Sequence, residues 1–122
     1  MPTNDLDQLA IAQSETPEGY RIIQLKGWIT AKNVPTVKSA IQLGRGLTTI
    51  LDMTEVPYVD SSGLGALLSG YVDAQKYGGK FVLAGVVPRV RELLQLTKIE
   101  PLFRIYRSSA DATKELSKGT GT

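Results

Sequence analysis

The stretch I-L-D-M-T-E-V-P-Y-V-D-S-S-G-L-G-A-L-L, residues 50–68, changes its hydrophobic pattern half-way along. Its start continues from Leu47, Thr48 and Thr49, and residues 47–53 are rich in apolar and β-branched side chains. A run of this kind suits a central strand buried on both faces. The segment T-E-V-P-Y-V-D at 54–60 reads as a loop. From Ser61 onward Leu64, Leu67, Leu68, Tyr71 and Ala74 recur at helical spacing, which predicts a helix over 61–77 closed by Gly78 and Gly79. A buried strand feeding a helix is half of a crossover unit, so the flanking segments decide the fold class.

Downstream, K-F-V-L-A-G-V at 80–86 reads as a strand. P-R-V-R-E-L-L-Q-L at 88–96 reads as a helix, with Pro88 at its start where a missing N–H costs nothing. L-F-R-I-Y-R at 102–107 is the last predicted strand, and residues 108–116 a short helix. Ser108 and Asp111 form a capping-box-like pair, with Asp in the place of the usual Glu or Gln. The tail S-K-G-T-G-T is expected to fray. Upstream, residues 31–43 place Val34, Val37, Ala40 and Ile41 at helical spacing, with Thr30 as a candidate cap and Pro35 tolerable only in the first turn. G-R-G at 44–46 ends that helix. Residues 20–27 form a strand, and alternation puts Ile23, Leu25 and Ile29 on one face. Gln24, Lys26 and Trp28 take the other, which points the only tryptophan away from the core. T-P-E-G at 16–19 is turn chemistry, and residues 6–14 alternate weakly as a first strand. The order β-β-α-β-α-β-α-β-α predicts a single α/β domain over 1–122, with its ordered core at about 6–117. Its sheet is mixed and mostly parallel, because only the first two strands share a short turn.

At 122 residues, with 42% apolar and 21% charged side chains, the chain can bury one core and no more. There is no cysteine, which removes disulfides, zinc–thiolate sites and iron–sulfur clusters. There is no histidine either, which removes the usual general base and most transition-metal sites. The net charge of +2 is spread thinly, without the dense basic run of a nucleic-acid tract. No apolar run approaches the roughly 20 residues that cross a bilayer, and no export signal is evident at the start. A cytoplasmic location without membrane insertion is expected.

Catalytic readings of V-D-S-S-G-L-G at 59–65 fail on spacing. A nucleophile elbow needs G-x-S-x-G, but Val59 precedes Ser61 and Leu64 follows Ser62 at the glycine positions. A Ser–Lys dyad stays open on sequence, with nothing pointing to it. A P-loop counted from Gly65 has Tyr71 where the lysine must stand. A dinucleotide fingerprint from Gly63 and Gly65 meets Leu68 at the third glycine. What is left is a helix start, with free N–H groups that Asp60 or Ser61 can cap and a dipole that tolerates a phosphate. Two readings stay open here: a plain N-cap with a spare hydroxyl, or a phosphoacceptor. An outward Trp28 near this site either anchors a partner or covers the sheet edge. Val34 and Pro35 at the helix start can join such a surface, and Tyr58 either joins it or packs inward.

The wider stretch 50–68 resembles the STAS family of bacterial anti-sigma factor antagonists. The resemblance includes L-K-G-W-I-T at 25–30, the strand at 80–86, and P-R-V-R-E-L-L-Q-L-T-K-I-E-P-L-F at 88–103. It covers about residues 9–116, and the D-S-S-G-L-G core behind an apolar strand is its specific part. It implies a non-enzymatic, cofactor-free partner switch. Such a protein binds an anti-sigma factor that is also a serine kinase, and so frees a sigma factor. The kinase phosphorylates the first serine after the aspartate, which maps to Ser61, with Ser62 as second candidate. Phosphorylation releases the antagonist and a PP2C-type phosphatase resets it. The partner surface is then expected to include Trp28, Thr30, Val34, Tyr58, Asp60, Ser62, Gly63 and Leu64. Two departures stand out: Thr30 replaces the family's aspartate, and Thr97-Lys98 replaces a Thr-Gly pair. The alternative is a STAS module that is not phosphorylated, a scaffold or regulatory subunit of a signalling or transport complex. The oligomeric state stays open, since an edge strand at 6–14 can pair with another chain.

Overall fold

The predicted central strand forms as β3, Thr48–Glu55, in the middle of a five-stranded sheet. The computed structural model describes residues 8–119. In chain order the strands are β1 (Ala10–Glu15), β2 (Arg21–Lys26), β3, β4 (Lys80–Ala84) and β5 (Ile105–Tyr106), and they lie side by side in that order. β1 and β2 are antiparallel; β2 to β5 are parallel. The reversal between β1 and β2 is the predicted turn: Gly19 has φ +88° and donates to the Thr16 carbonyl at 2.9 Å.

The period-two alternation of the strands divides the core between two layers. Leu51 and Met53 of β3 and Phe81 and Leu83 of β4 face helices α1 (Val34–Gln42), α2 (Ser61–Tyr77) and α3 (Pro88–Leu96). Ile50, Val82 and Ala84 face the opposite side, where Ala112 and Leu116 of α4 (Ser109–Gly119) cover them. Each fully buried Ile or Leu here contributes about 1.5–3 kcal/mol. The Ile23, Leu25 and Ile29 face is wholly buried, as alternation predicts. α2 and α3 have the expected bounds, and Pro88 stands in the first turn of α3.

Several bounds differ for identifiable reasons. β1 begins at Ala10, the partner of Lys26, because Gly27 at φ +124° leaves the ladder beyond it; residues 6 and 7 lie outside the described residues. α1 begins at Val34, since residues 31–33 form a turn instead. β4 stops at Ala84, where Gly85 turns to φ +69°. The last strand shrinks from 102–107 to two residues, because Glu100–Leu102 with its central proline closes into a 3₁₀ turn. α4 runs three residues past its expected end, so Ser117 to Gly119 of the tail expected to fray are helical, and residues 120–122 lie outside the described residues. The Lys118–Glu115 ion pair at 3.7 Å supports that last turn. Ser108 caps α4 as expected, its hydroxyl accepting from the Asp111 N–H at 3.0 Å.

Candidate functional site

β2 and β3 end side by side, and the segments leaving them stay paired for one more bridge. Ile29 N–H donates to the Tyr58 carbonyl (3.2 Å) and Asp60 N–H donates to the Ile29 carbonyl (3.1 Å). Ile29 and Val59 are buried at this bridge. It sets the loop after β2 against the N-terminus of α2.

Asp60 holds the junction from the α2 side. Its backbone is extended, and its Oδ1 accepts from the Gly63 N–H at 2.9 Å, which makes it the N-cap. Its Oδ2 accepts from the Ala31 N–H at 3.2 Å, across the gap to the loop. One carboxylate therefore caps α2 and pins the segment that follows β2. Ser61 and Ser62 occupy the first turn, and both are exposed. Neither hydroxyl bonds to any described residue, so the capping role falls to Asp60 alone. The first turn of α2 carries no acidic side chain.

Gly63 is buried, and a Cβ there would meet the Val59 side chain and the Ile29 carbonyl. Its part in the site is close packing of α2 on the bridge. Leu64 is half-buried on the main core, as is Val34 at the start of α1, while Pro35 is exposed.

Thr30 does not cap α1. Asn33 is the N-cap residue, and its amide serves the loop: Oδ1 accepts from the Thr30 N–H at 3.0 Å and Nδ2 donates to the Trp28 carbonyl at 2.8 Å. The Thr30 carbonyl accepts from the N–H groups of Asn33 and Val34, and its hydroxyl oxygen is buried without a hydrogen-bond partner. In this geometry Thr30 shows a partner neither a charge nor a free hydroxyl.

Trp28 lies half-buried against Tyr58, with ring centroids 5.0 Å apart and planes tilted by 54°. The Arg89 guanidinium at the start of α3 sits 5.4 Å from the Tyr58 ring centroid. Such an exposed cation–π contact contributes about 0.5–1 kcal/mol. The site thus joins three segments: the loop after β2, the start of α2 and the start of α3. Arg89 and Asn33 were not among the residues expected from sequence. Arg89 did leave a signal, since a cation in a first helical turn opposes the macrodipole and calls for another role. Among the described residues no acidic cluster is arranged to hold a metal, and no helix is long and apolar enough to cross a membrane.

The sequence profile of the STAS domain matches residues 12–112. The chain belongs to the STAS family. Among curated relatives, the anti-sigma-B factor antagonist of Listeria monocytogenes is 31% identical over 100 residues, covering 80% of this chain and 88% of that one. Among solved structures, an anti-sigma factor antagonist from Mycobacterium paratuberculosis shares this STAS fold with a TM-score of 0.77 at 22% identity, covering 89% of this chain and 94% of that one. The Bacillus cell fate determinant SpoIIAA in its phosphorylated form shares it with a TM-score of 0.69 at 18% identity, covering 88% and 99% respectively. The mixed five-strand sheet with four helices and the element order agree with STAS structures.

Proposed function

We propose that this STAS protein is an anti-sigma factor antagonist that binds a serine-kinase anti-sigma factor, frees a sigma factor, and is released when the kinase phosphorylates Ser61. Its main support is the division of roles between neighbours. Asp60 supplies the cap, so the Ser61 hydroxyl is exposed, unbonded and dispensable for the helix. The likeness to the Listeria antagonist supports the partner class, and the phosphorylated Bacillus neighbour has the same fold. The kinase transfers the γ-phosphoryl group of ATP to the Ser61 oxygen, and the hydroxyl proton leaves with the kinase's base. The chain itself is substrate and ligand rather than enzyme, acts in the cytoplasm, and is reset by a PP2C-type phosphatase.

A phosphate adds about −1.5 to −2 charges at pH 7. At the α2 N-terminus the helix dipole and free N–H groups tolerate that charge, so the fold survives. Inside an interface the same charge must be desolvated, which costs several kcal/mol unless it is paired. Phosphorylation therefore breaks the complex and not the protein. The test is incubation with the serine-kinase anti-sigma factors of the same genome and ATP, read by intact mass and site mapping. One phosphate on Ser61, absent from Ser61→Ala, is expected; no transfer from any kinase, or a phosphate elsewhere, contradicts the proposal.

A further inference from the structure

α2 contains three glycines, each of which weakens a helix interior. Gly63 and Gly70 have packing reasons: a Cβ would strike Val59 and Ile29 at the first and the Phe81 ring at the second. Gly65 has none. It is exposed, its φ is not in the left-handed region, and a Cβ there meets nothing within 4 Å. Neither packing nor backbone geometry requires a glycine at this position.

The space above Gly65 is an open groove of about 310 Å³ between α1 and α2, bounded by Lys38, Gln42, Leu68 and Val72. Val72 is 54% exposed on its wall. The Ser69 hydroxyl turns back onto the Gly65 carbonyl at 3.1 Å. At the far end Asp73 is engaged by both nitrogens of the Arg45 fork, at 3.2 and 3.4 Å. Lys38 has no acidic partner among the described residues. The groove therefore offers an apolar edge made by Leu68 and Val72 of α2, a floor with no side chain at Gly65, and one unpaired cation on its polar α1 rim.

We infer that this groove receives an apolar side chain, flanked by a carboxylate, from the kinase that phosphorylates Ser61. The inference rests on the function proposed above and specifies how that partner docks. Ser61 and Gly65 stand four residues apart on one helix face, about 5–6 Å at their Cβ positions. A protein active site that encloses the Ser61 hydroxyl covers the next turn of α2 as well, because such footprints span about 20–30 residues. In this mode an apolar anchor sits over Gly65 against Leu68 and Val72, and a carboxylate beside it pairs with Lys38. Gly65 gives up helix stability to keep that space open.

The test is steady-state phosphorylation by whichever kinase of the genome's panel modifies the wild-type chain. Filling the groove with Gly65→Leu is expected to raise KM at least about tenfold with kcat little changed, the mark of lost docking. Gly65→Ala is expected to give a smaller rise in KM, and both variants to keep a Tm at or above wild type. Lys38→Glu is expected to raise KM as well. A control substitution on the exposed Gln75, away from the groove, leaves KM as it was. Wild-type KM in Gly65→Leu at unaltered Tm overturns the docking inference while the phosphoacceptor reading stands. A fall in kcat alone also overturns it. No phosphorylation of the wild-type chain by any kinase removes the functional reading and this inference together.

Discussion

At Asp60 and Ser61 two adjacent polar side chains divide two tasks. Asp and Ser rank alike as N-caps, so sequence leaves both as candidates at this helix start. The structure assigns the cap to Asp60 and adds a second bond, to Ala31, that joins residues 29 positions apart. Loss of this carboxylate leaves two N–H groups without their acceptor. Asp60→Ala is therefore expected to lower unfolding free energy by about 0.5–2 kcal/mol in urea titration. Ser61→Ala is expected to stay within about 0.5 kcal/mol of wild type. The reverse ranking would make Ser61 the structural residue. Thr30 illustrates a role that sequence could not assign. Thr is a common capping residue, but the Asn33 side chain occupies the Thr30 N–H, and the Thr30 hydroxyl is buried without a partner.

Helices with strong end signals are the elements most legible in the chain. Ser61–Tyr77 begins after an aspartate and ends at a Gly-Gly pair, and Pro88–Leu96 opens on a proline. The C-terminus of α3 shows what a departure from family pattern does. Lys98 has φ +63°, alone among non-glycine residues described. It stands where a Schellman motif wants glycine: Lys98 N–H reaches the Gln95 carbonyl and Ile99 N–H the Leu94 carbonyl, both at 3.0 Å. Lys98→Gly relieves the left-handed strain and is expected to raise stability by about 0.5–1 kcal/mol, read as a higher Tm. The 3₁₀ turn after it was not legible, because Leu102, Phe103 and Ile105 look like a strand until Pro101 removes its ladder donor. That turn is tied to α3 through Glu100, which accepts from Arg91 Nε at 2.8 Å and Gln95 Nε2 at 3.2 Å. The Arg91 bond, then the Gln95 bond, hold the Glu100 carboxyl below its ordinary pKa. A depressed carboxylate favours the fold above its unfolded pKa, and that share is lost as pH falls through the folded value. Arg91→Ala is expected to move the Glu100 titration, followed by carboxyl NMR shift, back up towards the ordinary glutamate value. An unmoved titration would show that this bond does not form in solution.

For the molecule as a whole, alternation of strands and helices makes a mostly parallel sheet legible, and consecutive strands do lie as neighbours. The placement of α4 alone on one face was not legible, since only Ala112 and Leu116 mark its buried side. Nor was the meeting of Arg89 with Tyr58, which depends on where α3 begins relative to the loop before α2. The sheet's parallel ends bring three such segments together around an exposed serine, while the core on either face lies behind them. A charge placed there is expected to change a surface and leave the packing alone. The most direct measurement is calorimetric titration of the anti-sigma factor with the unmodified chain, Ser61→Ala, and the chain phosphorylated at Ser61, with Tm recorded for each. The unmodified and Ser61→Ala chains are expected to bind alike. The phosphorylated chain is expected to bind about a thousandfold more weakly, about 4 kcal/mol, with its Tm kept. Equal affinity of the phosphorylated and unmodified chains, or a loss of affinity that comes with unfolding, would contradict the account.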